Sequence, residues 1–132
     1  MEFNYIRIKD RHYPIIRITL EHNLNFIRTY AYIDSGAAYS VFKPRMADKL
    51  GVDMKAGELR YLTVGDGGQI PVYLHRISVK LGDRQFKAKI GFSDRLGIGF
   101  NVLGMEPFFD KFKVCFDNKK RVVSLIWCSF RS

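Results

Sequence analysis

The sequence changes from a strand pattern to a polar turn at residues 27–36, which read IRTYAYIDSG. Ile27, Thr29, Ala31 and Ile33 fall on alternate positions, so they can share one face of a β-strand. Asp34 ends this run, and a carboxylate flanked by apolar segments is costly to bury unless it is hydrogen-bonded, neutralised or used in chemistry. The chain therefore carries its most unusual side chain at the end of a predicted strand.

Three β-hairpins are predicted from alternation of this kind. Each consists of two apolar segments of period two on either side of a polar turn. The hairpins comprise residues 16–20 and 27–33 around a turn at 21–25, residues 77–81 and 86–92 around Gly82-Asp83, and residues 112–117 and 122–127 around a turn at 118–121.

Two short helical segments complete the predicted elements. Residues 45–50 form the first, because Pro44 suits a first helical turn and Gly51 suits a helix end. A second helical turn covers residues 106–111, with Pro107 near its start. Short strands with turn residues between them predict an all-β fold that closes into a barrel.

A faint internal repetition links the two halves of the chain. The same order of segments occurs twice. Residues 18–20 are followed by a turn, a strand and the tripeptide at 34–36, and residues 77–79 are followed by a turn, a strand and the tripeptide at 102–104. This repetition predicts two similarly wound halves.

The composition indicates one globular domain over residues 1–132. The chain is 47% hydrophobic and 14% aromatic, which excludes a disordered protein and allows a core without disulfides or a structural metal. No apolar run approaches the roughly 18 residues of a membrane span, and no export signal is recognisable, so we expect a soluble, cytoplasmic protein. The net charge is +9, and the basic residues are scattered along the chain. Lys87 and Lys89, for example, fall on the solvent face of a predicted strand.

Cys115 and Cys128 are expected to be free thiols. Cys115 would face Ser124 in the third hairpin, and Cys128 would lie ~13 Å further along at ~3.3 Å per residue, beyond the ~7 Å limit for a disulfide. Free thiols are typical of a reducing compartment. The three histidines show no spacing with either cysteine that is typical of zinc, so no metal or other cofactor is predicted.

A glycine-rich hairpin is predicted at about residues 60–74. Two strand-like segments, residues 61–64 and 69–73, flank a tip that reads GDGG at residues 65–68. Glycine permits positive φ and easy bending at such a tip. An ordinary surface hairpin is one interpretation. A phosphate loop is improbable, since a strand-like segment and not a helix follows the tip.

A second motif, NVLG at residues 101–104, follows Asp34 by about seventy positions. Together with YIDSGA at residues 32–37 and the hairpin between them, its order and spacing resemble the retroviral-type aspartic proteases, the retropepsins and their cellular relatives. Their signature begins with two apolar residues and Asp, which are followed by Ser or Thr, then by Gly, and then by Ala or Ser. Two apolar residues and Gly follow later in the chain. Asp-Ser-Gly alone is also a common turn in which Asp bonds the backbone two residues on.

The resemblance implies a retropepsin-like β-barrel, half of a two-lobed aspartic protease, with the glycine-rich hairpin as its flap. It implies that Asp34, Ser35 and Gly36 are the catalytic residues. Asp34 would act as acid and base, the Ser35 hydroxyl would brace the loop against the partner's backbone, and Gly36 would leave room for substrate. Leu103 and Gly104 would support the site from a strand that crosses behind the loop.

The resemblance also implies contacts between the substrate and the flap or the wall of the cleft. The candidate contacts are Ala37, Val64, Gly65, Asp66, Gly67, Gly68, Ile70 and Val102. Asp66 could influence nearby carboxylates or simply face solvent.

The chain contains one Asp-Ser/Thr-Gly, so a catalytic pair of carboxyls requires a homodimer with one Asp34 from each protomer. Two carboxylates ~3 Å apart repel by roughly 5 kcal/mol at an effective dielectric constant near 20, so such a pair keeps one proton between its members. The expected activity is hydrolysis of peptide bonds in a peptide or protein substrate.

Two other functions remain open at this point. A retropepsin-like fold can serve only to bind peptides or to dimerise, without turnover. A small basic β-barrel can also bind nucleic acid by stacking bases on aromatic side chains such as Tyr30, Tyr32 and Phe100. The interspersed charges argue against nucleic acid as a partner, and no membrane partner is expected.

Overall fold

The structure is a computed structural model that describes residues 1–97 and 99–128. Within these residues the chain forms mainly β-strands. The strands are β1 (Glu2–Asn4), β2 (Ile6–Ile8), β3 (Arg11–Tyr13), β4 (Ile15–His22), β5 (Asn25–Ile33), β6 (Val41–Phe42), β7 (Glu58–Thr63), β8 (Gln69–Leu81), β9 (Arg84–Phe92), β10 (Asn101–Leu103), β11 (Phe112–Asp117) and β12 (Val122–Trp127). The helices are α1 (Pro44–Leu50) and α2 (Phe108–Lys111), with a 3-10 turn at Met54–Ala56.

Seven strands form the main sheet in the order β4-β5-β10-β6-β9-β8-β7. In addition, β4 pairs with β8, with Leu20 opposite Val79. This pairing joins β4, β5, β10, β6, β9 and β8 into a closed ring and leaves β7 attached to β8 at its side. The predicted all-β fold class is confirmed.

Two parallel pairings connect the halves of the main sheet. β6, which follows the β4–β5 hairpin, pairs in parallel with β9, and β10, which follows the β8–β9 hairpin, pairs in parallel with β5. Each short strand therefore pairs with the second strand of the other hairpin, as expected for the repetition in the sequence. Because β10 also pairs with β6, the end of β5 lies close to the chain that leads into β6.

Alternating side chains of the main sheet form the core together with side chains of both helices and of the second sheet, as the alternation predicts. Ile16, Ile18 and Leu20 on β4 are at most 2% exposed, whereas Lys87 and Lys89 on β9 are exposed. Burying a large aliphatic side chain stabilises the fold by about 1.5–3 kcal/mol, so the alternating pattern fixes which face of each strand turns inward.

A second sheet has the order β1-β12-β11. Its β11–β12 hairpin has the predicted bounds, with Cys115 opposite Ser124, and both cysteines are free thiols. β1 adds to the other edge of β12, while β2 and β3 form a separate hairpin. The N-terminal segment is thus tied to the body of the same chain through β1.

Some predicted boundaries are wrong. The first turn contains only Asn23 and Leu24, because His22 still pairs with Asn25, and Asn23 adopts a φ of 54° that asparagine tolerates well. Helix α2 begins two residues later than predicted, because Glu106 forms a parallel β-bridge with Tyr39, in which its carbonyl accepts a hydrogen bond from Ser40 N–H.

β8 is one continuous strand where the sequence predicts two. Leu74, His75 and Arg76 interrupt the alternating pattern, yet all three pair with β9 and keep the ladder intact. The first strand of the glycine-rich hairpin runs from Glu58 to Thr63, so Val64 belongs to the tip. No helix of the described residues is long and apolar enough to cross a membrane.

Candidate active site

Asp34 lies directly after β5, where β5 and β10 run side by side. Leu103 is the register partner of Ile33, and the Asp34 N–H donates to the Leu103 carbonyl at 2.9 Å. The parallel ladder therefore brings the two sequence motifs together, one strand apart. The Asp34 side chain is half-buried in the single chain, so its carboxylate remains accessible.

The loop after Asp34 is held by the segment that follows β10. Met105 N–H donates to the Ala37 carbonyl at 2.8 Å, and Glu106 N–H donates to the Ala38 carbonyl at 3.0 Å. Gly104 lies so close to this loop that a Cβ there would come within 2.5 Å of the Ala37 carbonyl oxygen. A glycine is therefore the residue that fits at this crossing.

Ser40 is a supporting residue that the sequence analysis missed. It is fully buried, and its hydroxyl oxygen accepts a hydrogen bond from Gly104 N–H at 3.0 Å. Its backbone is fixed on both sides, by the Glu106 carbonyl and by Gly91 N–H. A small polar residue just before the apolar pair Val41-Phe42 was the available signal, because buried polar groups need a partner.

The carboxylate of Asp34 also bonds its own turn, since Gly36 N–H donates to Oδ1 at 2.9 Å. This is the local bond expected of an ordinary Asp-Ser-Gly turn. The same bond occurs at the hairpin tip, where Gly68 N–H donates to Asp66 Oδ1 at 2.8 Å. The turn geometry is therefore common to both aspartates. The position beside β10 distinguishes Asp34 from Asp66.

A cleft of about 430 Å³ lies between the Asp34 loop and the glycine-rich hairpin. Five of the predicted contacts line it, while Asp66, Gly67 and Gly68 do not. Further lining residues were not predicted from the sequence. The predicted lining residues are Ala37, Val64, Gly65, Ile70 and Val102, and the unpredicted ones are Leu62, Thr63, Arg95, Leu96 and Gly97.

The walls of this cleft are mostly apolar. Leu62, Ala37 and Val102 are each less than 9% exposed, and the charged side chains among its lining residues are Asp34 and Arg95. Leu103 is buried in the core and does not line the cleft. The loop at residues 93–97 could have been suspected, because it leads from β9 towards β10, and β10 ends beside Asp34.

A larger groove of about 770 Å³ also borders Asp34. Ser35, Ile33 and Tyr32 border it together with residues of the β2–β3 hairpin and the β11–β12 turn. Within the groove, Arg121 approaches His12 Nε2 at 3.3 Å. Partial desolvation and the charge of Arg121 lower the pKa of His12 below its usual 6.5.

The hydroxyl of Tyr5 in the same groove donates to Asn118 Oδ1 at 2.6 Å. Burial and the nearby Asp117 carboxylate raise the pKa of Tyr5 above its usual 10.0, so the phenol stays protonated and keeps this bond. The contact ties the N-terminal segment to the β11–β12 turn. Among the described residues, no cluster of His, Cys, Asp and Glu is arranged to hold a metal ion.

Comparison with known proteins agrees with this geometry. The model of a family described as aspartyl protease matches residues 22–106, a span that includes Asp34, the glycine-rich hairpin and Gly104. No curated protein sequence matches the chain.

Solved structures that share the fold include two aspartic proteases. A retropepsin-like aspartic protease from Rickettsia conorii is 20% identical with a TM-score of 0.60, and the match covers 93% of this chain and 88% of that one. The EIAV protease in complex with the inhibitor HBY-793 is 20% identical with a TM-score of 0.56, and the match covers 80% of this chain and 93% of that one.

Proposed function

The chain belongs to the aspartyl protease family, and from that premise we propose that it hydrolyses peptide bonds as a homodimer in which each protomer supplies Asp34. The observation that carries this proposal is the position of Asp34. Half-buried Asp34 borders both the apolar cleft under the glycine-rich hairpin and the larger groove of about 770 Å³.

A second copy is needed because one chain supplies only one suitable carboxylate. Asp66, Asp94 and Asp117 are not followed by Ser-Gly or Thr-Gly, and neither the cleft nor its lining residues include another acidic side chain. A twofold axis next to Asp34 would bring the same residue of the partner alongside it, as closed symmetry allows.

The chemistry follows from two carboxyl groups that share one proton. The ionised carboxylate takes a proton from a water molecule as the water attacks the peptide carbonyl, and the protonated carboxyl donates a hydrogen bond to the carbonyl oxygen that becomes negative. The carboxyl group that took the proton from water then delivers it to the leaving nitrogen, and the C–N bond breaks. Gly36 leaves space at this point, since a side chain there would crowd Asp34 Oδ1 at 3.2 Å.

The two concave surfaces beside Asp34 have separate roles in this proposal. The apolar cleft of about 430 Å³ receives a side chain of the substrate, and the hairpin tip at residues 64–68 closes over the peptide and excludes water. The groove of about 770 Å³, which Ser35 borders, receives the partner subunit. The exposed Ser35 hydroxyl is then available to brace the two loops against each other.

The test compares wild type with Asp34→Asn, which keeps the size and the turn of the side chain but removes the charge. Asp48→Asn is the matched control, because Asp48 is exposed on α1 and borders neither concave surface. We expect wild type and Asp48→Asn to dimerise and to cleave a denatured protein between about pH 4 and 6, and Asp34→Asn to dimerise without cleaving.

Mixing the subunits tests whether both carboxyls are needed. When wild type and Asp34→Asn are refolded together in equal amounts, random pairing leaves about one quarter of the dimers with two carboxylates, so activity should fall to about a quarter of that of the same total of wild type. A fall only to one half would mean that each protomer works alone. Peptide binding by a dimer that never cleaves would instead identify a binding module.

A further inference from the structure

Arg95 is a cation at the edge of the cleft that contains Asp34. It is exposed, and within the described residues its guanidinium forms no hydrogen bond or ion pair with the protein. An arginine offers several N–H donors in a rigid plane that matches a carboxylate. Its charge is therefore available to a ligand in the cleft.

The backbone around Arg95 is fixed although it lies in a loop. Arg95 N–H donates to Ser93 Oγ at 3.1 Å, and the fully buried Ser93 donates its own N–H to the Phe42 carbonyl at 3.1 Å. On the other side, Lys43 Nζ donates to the Leu96 carbonyl at 3.0 Å. Because the backbone on both sides is held, the Cα of Arg95 is fixed beside the cleft, and a ligand has to order only the arginine side chain.

The charge pattern of the cleft favours one kind of substrate. A catalytic pair with a single proton carries one negative charge, which repels an acidic side chain of the substrate and attracts a basic one. Arg95 reverses this preference at its own position, while the apolar walls formed by Leu62, Ile70 and Val102 accept an aliphatic or aromatic side chain.

We infer that Arg95 determines specificity by pairing with a Glu or Asp of the substrate, close to the apolar residue that fills the cleft. This inference rests on the proposed function for its catalytic readout, but the binding that it describes does not require turnover.

The experiment uses labelled decapeptides with a central Phe-Leu pair, in which one other position at a time carries Glu, Gln or Lys. Cleavage is followed with wild type, and binding is followed by fluorescence anisotropy with Asp34→Asn. At one position we expect the Glu peptide to be preferred over the Gln peptide by roughly 3- to 10-fold. Arg95→Gln should abolish this preference, and Arg95→Glu should transfer it to Lys.

Arg28→Glu is the matched control. Arg28 is exposed on β5, six residues before Asp34, so it lies ~20 Å away at ~3.3 Å per residue and is screened at physiological salt. It changes the net charge as Arg95→Glu does but should leave the peptide preference unchanged. Thermal unfolding of each variant confirms that the fold is intact.

A pH series separates a direct ion pair from a structural effect. The preference for Glu over Gln should grow between about pH 4 and 6, as the substrate carboxyl ionises around its usual pKa of about 4.3. The inference would be overturned if wild type and Arg95→Glu preferred the same peptides. It would also be overturned if Arg28→Glu removed the preference for the Glu peptide as strongly as Arg95→Glu does. Cleavage without any acidic preference refutes only the role of Arg95, whereas acidic preference in binding without cleavage refutes only the proposed activity.

Discussion

Gly104→Ala tests whether the crossing behind the Asp34 loop is as close as the structure shows. A Cβ at this position would lie 2.5 Å from the Ala37 carbonyl oxygen and closer still to that of Tyr39, whereas ordinary contacts begin at 3.4 Å. The Ala37 carbonyl would therefore have to move by about 0.9 Å, and the Tyr39 carbonyl by at least as much. The same oxygen accepts the 2.8 Å hydrogen bond from Met105 N–H, so the shift would lengthen or break it.

The expected loss follows from these contacts. Forcing an extra methyl group into a packed site costs about 1–3 kcal/mol, and a disrupted buried hydrogen bond costs about 1 kcal/mol more. Replacing glycine also lowers the conformational entropy of the unfolded chain, which stabilises the fold by less than about 1 kcal/mol. The free energy of unfolding of Gly104→Ala should thus fall by about 3 kcal/mol, and its melting temperature by about 10 °C.

Urea unfolding followed by circular dichroism measures this difference. Gly65→Ala serves as the control, because a Cβ at Gly65 meets no heavy atom within 4 Å and should change stability by less than about 0.5 kcal/mol. If Gly104→Ala loses less than about 1 kcal/mol, the loop is not held in close contact with the strand behind it, and the argument that this crossing positions Asp34 is refuted.

Two further predictions concern buried and half-buried polar groups. Asn101→Leu should lower the free energy of unfolding by about 3 kcal/mol in urea, because it removes bonds of 2.9 Å with Tyr30 O and Lys43 N, and a loss below about 1 kcal/mol would contradict this. His12 should titrate below pH 6.5 in an NMR series, since partial desolvation and Arg121 disfavour its proton. The unfolded chain binds that proton more readily, so this group makes stability rise with pH in the range just below 6.5, and Arg121→Gln should raise the pKa. An unchanged pKa in Arg121→Gln would show that the neighbouring cation has no influence.

The predicted hairpins were recovered from the sequence because strand alternation is a local property. Burial of Ile16, Ile18 and Leu20 requires only that one face of β4 turn inward, and a slip of one residue would expose all three. The boundary errors arose where a pairing partner decided the outcome. β8 continues through Arg76 because β9 offers it a ladder, which no pattern within residues 74–76 reveals.

The all-β class, the two motifs around Asp34 and Gly104, and the need for a second chain if two carboxyls are to meet all follow from the amino-acid sequence. The side chains that surround Asp34 follow only from how the strands pair. Arg95 reaches the cleft, Ser40 lies beneath the loop and Arg121 approaches His12, because strand pairing brings together segments that are far apart in the chain. Such contacts depend on register and on loop paths, whereas alternation and turn residues report only which face of each segment is apolar.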